Sequence, residues 1–233
     1  MKIKILFIIA FLSASIFASG QDKIKDSVAY ALGIQMAENL KQNQVLDLLD
    51  LDVLTSAVID LRDGKARMNA QQCDSAVRTY FTRRYEDLKA KNEKAGKEFL
   101  QKNATTQGVV TLASGLQYKI ENEGMGIKPT ADDEVEVHYK GTLLDGRVFD
   151  SSIDRGQSAK FVLGRVIPGW IEGLQLIGEG GRITLYVPAN LAYGDRGAPG
   201  TIIEPNATLI FNVELLKVNR KEKSPEAVEI KPN

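Results

Sequence analysis

The residues that could take part in covalent or metal chemistry are few in this chain. It contains one histidine, His138, and one cysteine, Cys73. Ser151 and Ser152 are candidate nucleophiles, but we expect no histidine to face them, because His138 alternates onto the polar face of its predicted strand. A zinc site without Cys or His partners would need roughly three or four carboxylates, and the acidic residues are scattered among predicted turns and helix faces. The sequence therefore disfavours a hydrolase and a metalloenzyme.

A different chemistry is indicated between Val135 and Leu215. Four segments follow one another there: VEVHYKGTLLDGRVFDSS, FVLGRVIPGW, LAYGDRG and PNATLIFNVELL. Their aromatic residues and glycines recur where a small sheet would need to wall an apolar pocket. The glycine-rich stretch 178–181 lacks both a phosphate-loop lysine and a following helix, so we interpret it as a turn. Such a pocket would act by enclosing a substrate rather than by attacking it.

The elements that must position this pocket follow from the spacing of apolar residues. Alternation with a period of two predicts strands, and their apolar faces are Val135, Val137, Tyr139 and Leu143, then Leu185 and Val187, then Leu209, Phe211, Val213 and Leu215. Trp170, Leu174 and Ile177 have helical spacing after a Pro-Gly pair, which predicts one short helix. Together these patterns predict an α+β domain, a curved antiparallel β-sheet wrapped around a short helix.

Helical patterns precede this domain. They predict amphipathic helices over 27–40 and 50–61, with Asp50 as the N-cap of the second and Gly64 as its stop. A third helix of more than about thirty residues begins near Asn69. We expect its first half to pack, with Cys73 in a core position, and its second half to be solvated. A long helix whose apolar stripe is only partly covered favours a partner chain, so we expect a homodimer; a monomeric helical cap is the alternative.

The first twenty residues have the pattern of a secretory signal peptide. Lys2 and Lys4 precede the apolar run 5–12, and Ala18 and Gly20 have the spacing of a cleavage site. The apolar run is too short to cross a bilayer core of about 30 Å, so we expect no membrane anchor after cleavage. Removing residues 1–20 leaves 28 basic and 30 acidic side chains, a balance that does not favour binding to nucleic acid.

The four segments closely resemble motifs of the FK506-binding, or FKBP-type, peptidyl-prolyl cis-trans isomerases, in the same order and with roughly the same spacing. The N-terminal part looks like that of the Mip-like, two-domain bacterial members. Composition, the helical patterns and this resemblance together predict five segments: a signal peptide (1–20), an N-terminal helical dimerisation region (21–68), a long connecting helix and linker (69–110), an isomerase domain (111–218) and a tail (219–233) that its Lys, Glu and Pro content predicts to be disordered. It implies no cofactor and proline-containing, unfolded or partly folded polypeptides as substrates. It also implies a periplasmic or secreted protein, with attachment to the outer surface left open.

The resemblance also assigns the site by position. It implies catalytic roles for Tyr139, Asp150 and Tyr193, with the Tyr193 hydroxyl donating to the bound peptide. It implies substrate binding by six residues: Phe149, Val166, Ile167, Trp170, Ile203 and Phe211. In the family, Trp170 would be the pocket floor, the Ile167 N–H would meet a substrate carbonyl, and Asp150 would lie at the rim near Tyr139 and Arg155.

Three positions bear on how closely this pocket follows the family. Ala159 stands where many single-domain members have a pocket aromatic, whereas Phe161 aligns with a core phenylalanine, so we expect Phe161 in the core. The loop 198–204 is one residue longer than usual and places Glu204 at the rim, where a proline is common. These differences leave open the affinity for macrolide inhibitors of the FK506 type.

The preferred hypothesis is a peptidyl-prolyl isomerase that assists the folding of exported proteins by enclosing Xaa-Pro bonds in an apolar pocket. The long, sparsely packed helix suggests an alternative, a dimeric holdase chaperone whose isomerase activity is incidental. A structural scaffold with an inactive pocket is disfavoured, because Tyr139, Asp150, Trp170 and Tyr193 are all present.

Overall fold

The computed structural model describes the backbone of residues 4–42 and 45–221, and the side chains of residues 23–42 and 45–221. The side chains of the predicted signal peptide and residues 222–233 of the predicted tail lie outside these ranges. The chain divides into two compact units, Met1–Gln71 and Gln72–Asn233.

The first unit is helical. Helix α1 spans Lys4–Gln42, and α2 spans Leu51–Arg62 after a short 3-10 turn. The Asp50 side chain accepts hydrogen bonds from the backbone N–H groups of Asp52 (2.9 Å) and Val53 (3.2 Å), which confirms the predicted N-cap. Helix α2 ends two residues before Gly64, whose φ of 68° is the left-handed conformation that glycine adopts readily. The second predicted helix is therefore present as α2, whereas the residues predicted as a separate short helix over 27–40 belong to the 39-residue helix α1.

The apolar residues of this unit are largely exposed. Val28 and Leu32 on α1 are 53% and 60% exposed, and Val58 and Leu61 on α2 are 57% and 72% exposed. Val45, between the two helices, is buried. The amphipathic stripes that the sequence predicts are thus not covered by the described residues of the unit itself.

Helix α3 spans Ala70–Asn103 and is 34 residues long, as its pattern predicts. The prediction of which half packs is wrong. Val77, Tyr80 and Phe81 in the first half are exposed, and so is Cys73, which was expected in a core position. The second half contains the buried residues of the helix, and it contacts the sheet domain through the Phe99 ring and through polar groups, which hydrophobic periodicity does not detect.

The sheet domain has seven antiparallel strands and one α-helix among the described residues. The strands are β1 (Val110–Thr111), β2 (Gln117–Asn122), β3 (Glu134–Leu143), β4 (Val148–Ser151), β5 (Ala159–Val162), β6 (Arg182–Val187) and β7 (Leu209–Asn219). Their order is β1-β2-β6-β7-β3-β4, with β5 paired to β3, and helix α4 spans Pro168–Leu174. The stretch 178–181 forms the predicted turn before β6, with the Gly181 N–H donating to the Gly178 carbonyl at 2.9 Å. This arrangement confirms the predicted α+β fold.

The core lies between the sheet and α4. Along β3, buried and half-buried residues alternate, as period two requires, and the predicted core residue Val213 is buried on β7. Helix α4 approaches the sheet closely because two of its residues are glycines. A Cβ on Gly169 would lie 2.5 Å from a methyl carbon of Val187, and one on Gly173 would lie 2.5 Å from a methyl carbon of Leu185.

We predict that Gly173→Ala destabilises the sheet domain by about 1–3 kcal/mol, because fully buried Leu185 has little space into which it could move. Urea unfolding followed by Trp170 fluorescence measures this change. Gly33→Ala is the matched control, since nothing lies within 4 Å of a Cβ on Gly33 in the middle of α1. Equal stability of the wild type and Gly173→Ala would show that α4 tolerates displacement.

Candidate active site

A cavity of about 530 Å³ opens between the sheet, the start of α4 and the loop between β6 and β7. All nine residues assigned to the site from the sequence line it. They are Tyr139, Phe149, Asp150, Val166, Ile167, Trp170, Tyr193, Ile203 and Phe211. Four further residues, Phe161, Arg165, Ala198 and Thr201, complete the lining. The structure thus gathers in one place residues that are up to 72 positions apart in the sequence.

Trp170 lies at the centre of the aromatic part of the lining. It is buried, and its ring lies edge-on to the rings of Tyr139, Phe161 and Phe211, at centroid distances of 5.2, 5.7 and 5.3 Å. Its position follows from α4, which begins at Pro168 with Ile167 as its N-cap. The Trp170 indole nitrogen is buried and has no hydrogen-bond partner among the described residues. One buried donor therefore borders the cavity without an acceptor.

A second aromatic pair closes the side of the cavity next to β4. The rings of Phe149 and Phe211 meet edge to face at 5.4 Å. Gly141 on β3 makes this contact possible, since a Cβ there would lie 2.5 Å from the Phe149 ring and 3.1 Å from the Phe211 ring. Glycine within a strand here serves close packing rather than a turn.

Phe161 does not lie where the sequence predicted. It was expected in the core, but it is half-buried and lines the cavity, with its ring 6.0 Å from that of Tyr139. It lies on β5, a four-residue strand paired to β3 off the main path of the sheet. Ala159, two residues earlier on the same strand, and Phe161 both pack against the core, but of the two only Phe161 also lines the cavity.

Asp150, Tyr139 and Arg155 form a polar group at the rim. The Tyr139 hydroxyl donates to one carboxylate oxygen of Asp150, and the Arg155 guanidinium donates to the other and also to the Tyr139 hydroxyl, at 3.2 Å. Burial by itself would raise the pKa of Asp150, but these two donors and the charge of Arg155 outweigh it and hold that pKa below its usual value. Burial, together with the bond to Asp150, raises the pKa of Tyr139. Asp150 is therefore an ionised acceptor and Tyr139 a neutral donor at neutral pH.

Tyr193 lies on the loop that faces this group. The residue is 42% exposed and borders the cavity. Burial, followed by the nearby negative charge of Asp150, raises the pKa of its hydroxyl. The hydroxyl is therefore protonated at neutral pH and available as a donor.

Glu204 is not part of the cavity lining, although it was expected at the rim. Its carboxylate instead accepts a hydrogen bond from the side-chain amide of Asn92 on α3, at 3.2 Å. The same nitrogen of Asn92 donates to the Pro205 carbonyl at 3.0 Å. Asn92 was not identified from the sequence, because a single polar residue in a highly charged helix has no distinguishing pattern.

Ser152 supports the site from behind. The expectation that no histidine faces it is wrong, since the His138 Nδ1 lies 3.2 Å from the Ser152 hydroxyl oxygen. That hydroxyl is fully buried, and it accepts the backbone N–H of Tyr139 at 2.8 Å. No substrate can reach a buried hydroxyl, so this pair holds β3 and the chain after β4 together and does not form a nucleophile.

Residues 23–42 and 45–221 contain no cluster of three or more His, Cys, Asp or Glu side chains arranged to hold a metal ion. None of the described helices combines the length and the apolar composition that crossing a membrane requires.

Two family models match the chain. The model described as FKBP-type peptidyl-prolyl cis-trans isomerase matches residues 126–216. The model described as the domain amino terminal to FKBP-type peptidyl-prolyl isomerase matches residues 25–120. The first contains all nine assigned site residues, and the second contains α2 and α3.

Curated relatives match along most of their length. The probable FKBP-type peptidyl-prolyl cis-trans isomerase FkpA of Neisseria meningitidis serogroup B is 44% identical over 84% of this chain and 75% of its own length. FkpA of Escherichia coli K12 is 39% identical over 92% of this chain and 83% of its own. The outer membrane protein MIP of Legionella longbeachae is 40% identical over 84% of this chain and 86% of its own.

Solved structures agree with these relatives. The crystal structure of FkpA from Escherichia coli superposes with a TM-score of 0.64 at 40% identity, covering 84% of this chain and 95% of that one. A peptidyl-prolyl cis-trans isomerase from Pseudomonas syringae superposes with a TM-score of 0.52 at 37% identity, covering 56% of this chain and 96% of that one. The chain therefore belongs to the FKBP-type peptidyl-prolyl cis-trans isomerases.

Proposed function

We propose that the cavity around Trp170 is the catalytic site of this isomerase and that it acts by enclosing an Xaa-Pro bond of an exported polypeptide. The observation that carries the proposal is the combination found in one cavity: a wall of aromatic rings with neutral donors and one ionised acceptor at its rim. Apolar walls with a few convergent polar groups are typical of small-ligand sites.

Enclosure suits this reaction because of the electronic structure of the amide. Resonance holds the peptide bond planar and gives a rotational barrier of about 18–20 kcal/mol. The planar amide is more charge-separated than the twisted one, so water stabilises the planar form more. Transfer into an aromatic cavity removes that solvation and lowers the cost of twisting. The reaction needs neither proton transfer nor a covalent intermediate.

The polar groups hold the substrate while it twists. The neutral Tyr193 hydroxyl donates to a peptide carbonyl, and the Ile167 N–H lies before the first turn of α4, where N–H groups lack acceptors within the helix. The Asp150 carboxylate fixes the Tyr139 hydroxyl, and with it the ring that packs against Trp170. These contacts support catalytic roles for Tyr139, Asp150 and Tyr193 and substrate binding by the apolar lining.

We predict that Tyr193→Phe lowers kcat/KM about two- to tenfold, the equivalent of one neutral hydrogen bond, because the ring remains while the donor is lost. A protease-coupled assay with an Ala-Leu-Pro-Phe peptide measures the change. Tyr118→Phe removes a hydroxyl from β2, outside the cavity, and should leave kcat/KM unchanged. Full activity of Tyr193→Phe would remove this hydroxyl from the mechanism.

The pKa shifts predict how activity and stability depend on pH. Asp150 has a lowered pKa, and Tyr139 and Tyr193 have raised ones, so kcat/KM should be flat between about pH 5 and pH 9. Because the pKa of Asp150 is lower in the folded protein than in the unfolded chain, its contribution to stability is present above about pH 4 and is lost as pH falls through the folded value. Activity and unfolding profiles of the wild type and Asp150→Asn test this. A bell-shaped activity profile centred near neutral pH would contradict it.

The N-terminal region is proposed to export the protein and to join two copies of it. Residues 1–20 retain the signal-peptide pattern, and one relative is named as an outer membrane protein, which supports a periplasmic or surface location. N-terminal sequencing of the exported protein tests the cleavage. The exposed apolar residues of α1 and α2 support a homodimer, since apolar faces of this kind are usually covered by a partner.

We predict that the full chain carrying Val28→Asp and Leu32→Asp is a monomer where the wild type is a dimer, because two charges then interrupt the apolar stripe of α1. Light scattering coupled to size-exclusion chromatography gives the mass. Val148→Asp, at a site 40% exposed on β4, is the matched control and should remain dimeric. A dimer in the α1 variant would refute this interface.

The same exposed faces favour a second function, a dimeric holdase in which isomerisation is incidental. The isomerase and holdase functions can be separated by measuring how well the wild type and Tyr193→Phe suppress the aggregation of an unfolded client protein. We expect suppression to persist in Tyr193→Phe, because Tyr193 lies in the cavity and not on the exposed helical faces. Loss of suppression together with catalysis would place both activities in the cavity. Binding of FK506-type macrolides to the same cavity stays a proposal.

A further inference from the structure

The cavity depends on a long irregular segment between β6 and β7. This segment, Ala189–Thr208, is called the cavity loop below, and it carries four lining residues: Tyr193, Ala198, Thr201 and Ile203. It contains two short 3-10 turns and internal backbone hydrogen bonds, among them Asn206 N–H to the Gly194 carbonyl (2.9 Å) and Ala198 N–H to the Ile203 carbonyl (3.0 Å). A loop of this length has many accessible conformations unless other parts of the protein hold it.

Helix α3 contacts the cavity loop at successive turns. The Tyr85 hydroxyl donates to the Asp195 carbonyl at 2.7 Å. The Asn92 side-chain amide donates to the Pro205 carbonyl at 3.0 Å and to the Glu204 carboxylate at 3.2 Å. At Gly96 the helix comes so close that a Cβ would lie 2.4 Å from the Thr208 hydroxyl oxygen.

The spacing of these contacts places them on one face of α3. Tyr85, Asn92 and Gly96 are separated by seven and four residues, which is two turns and one turn of helix. The end of the same helix is attached to the sheet. The Asn103 side chain donates to that of Gln117 at 2.9 Å, the Gln117 side chain donates to the Leu100 carbonyl at 2.8 Å, and the rings of Phe99 and Tyr186 lie 5.8 Å apart. The helix is thus fixed on the sheet by its last turn and on the loop by the turns before it.

We propose that α3 positions the cavity loop for catalysis and that Asn92 is its main positioning residue. The inference rests on the proposed site and adds a group outside it. Asn92 does not line the cavity. It acts through Glu204 and Pro205, the two residues that directly follow the wall residue Ile203. One amide nitrogen supplies both hydrogens, which neither a carboxylate nor an aliphatic side chain can do.

Asn92→Asp tests the proposal with almost no change in shape. It replaces two donors by a carboxylate that faces the Glu204 carboxylate and the Pro205 carbonyl. We expect kcat/KM for the Ala-Leu-Pro-Phe peptide to fall about three- to tenfold, as for the loss of one well-placed hydrogen bond. Adding Glu204→Gln should recover much of that loss, because the amide introduced at position 204 can donate to the carboxylate introduced at position 92. Gln101→Ala is the control, exposed and nine residues further along, on the opposite side of α3.

Hydrogen exchange of single amides in the full chain distinguishes positioning from general destabilisation. In Asn92→Asp, exchange at Asn206 and Ala198 in the cavity loop should become faster, while exchange at Leu185 in β6 should not change. Equal acceleration at all three amides would mean that the substitution weakens the whole domain, and it would overturn the proposal.

The kinetic results can also overturn the proposal. Wild-type kcat/KM in Asn92→Asp, or no recovery in the variant that also carries Glu204→Gln, would overturn the role of Asn92. If the wild type did not catalyse prolyl isomerisation, the proposed catalytic site would be wrong. The hydrogen-exchange rates would still show whether α3 holds the cavity loop.

Discussion

The close approach of α4 to the sheet is the constraint on which the site depends. Gly169 and Gly173 have no Cβ that would collide with Val187 and Leu185, so α4 packs close to the sheet. At this distance Trp170 contacts three other aromatic rings edge to face. Each such pair contributes about 0.5–1.5 kcal/mol beyond the burial of its area. A larger side chain at either glycine would lift the helix and the cavity floor together. The same contacts therefore determine the packing of the core and the shape of the cavity.

Tyr139 connects that packing to the polar rim. Its backbone N–H donates to the buried Ser152 hydroxyl, its ring packs on Trp170, and its hydroxyl donates to Asp150. Arg155 lies against the same residue, with its guanidinium carbon 5.8 Å from the ring centroid. A side chain held at three points keeps few conformations, so the rim is arranged before a substrate arrives. Such preorganisation reduces the entropy that binding must overcome.

Much of the fold could be predicted from the regular spacing of apolar residues, whereas the residues of the cavity were assigned through the resemblance to the FKBP-type isomerases. The alternation of apolar and polar residues predicted β3, β6 and β7, and Asp50, the N-cap, predicted the start of α2. The errors concern contacts between distant segments. Whether Phe161 faces core or cavity depends on how far its strand pair extends, and the direction of Glu204 depends on an α3 residue 112 positions away. The first half of α3 was predicted to pack because it carries an apolar stripe, but in the structure it is exposed. An apolar stripe indicates that a helix needs a partner surface, but it does not identify that surface.

The ionisation of the rim also restricts the mechanism. Protonation of the proline nitrogen would abolish amide resonance, and an acid catalyst for it would need a pKa near neutrality. Asp150 has already lost its proton there, and the hydroxyls of Tyr139 and Tyr193 keep theirs because both pKa values are raised. The raised pKa of the Arg155 guanidinium excludes it as a proton donor in the same way. The directions of these pKa shifts therefore favour a mechanism based on desolvation and fixed hydrogen bonds over one based on proton transfer. A mechanism of that kind depends on wall positions, and for that reason the elements that fix the cavity loop matter as much as the residues that touch the substrate.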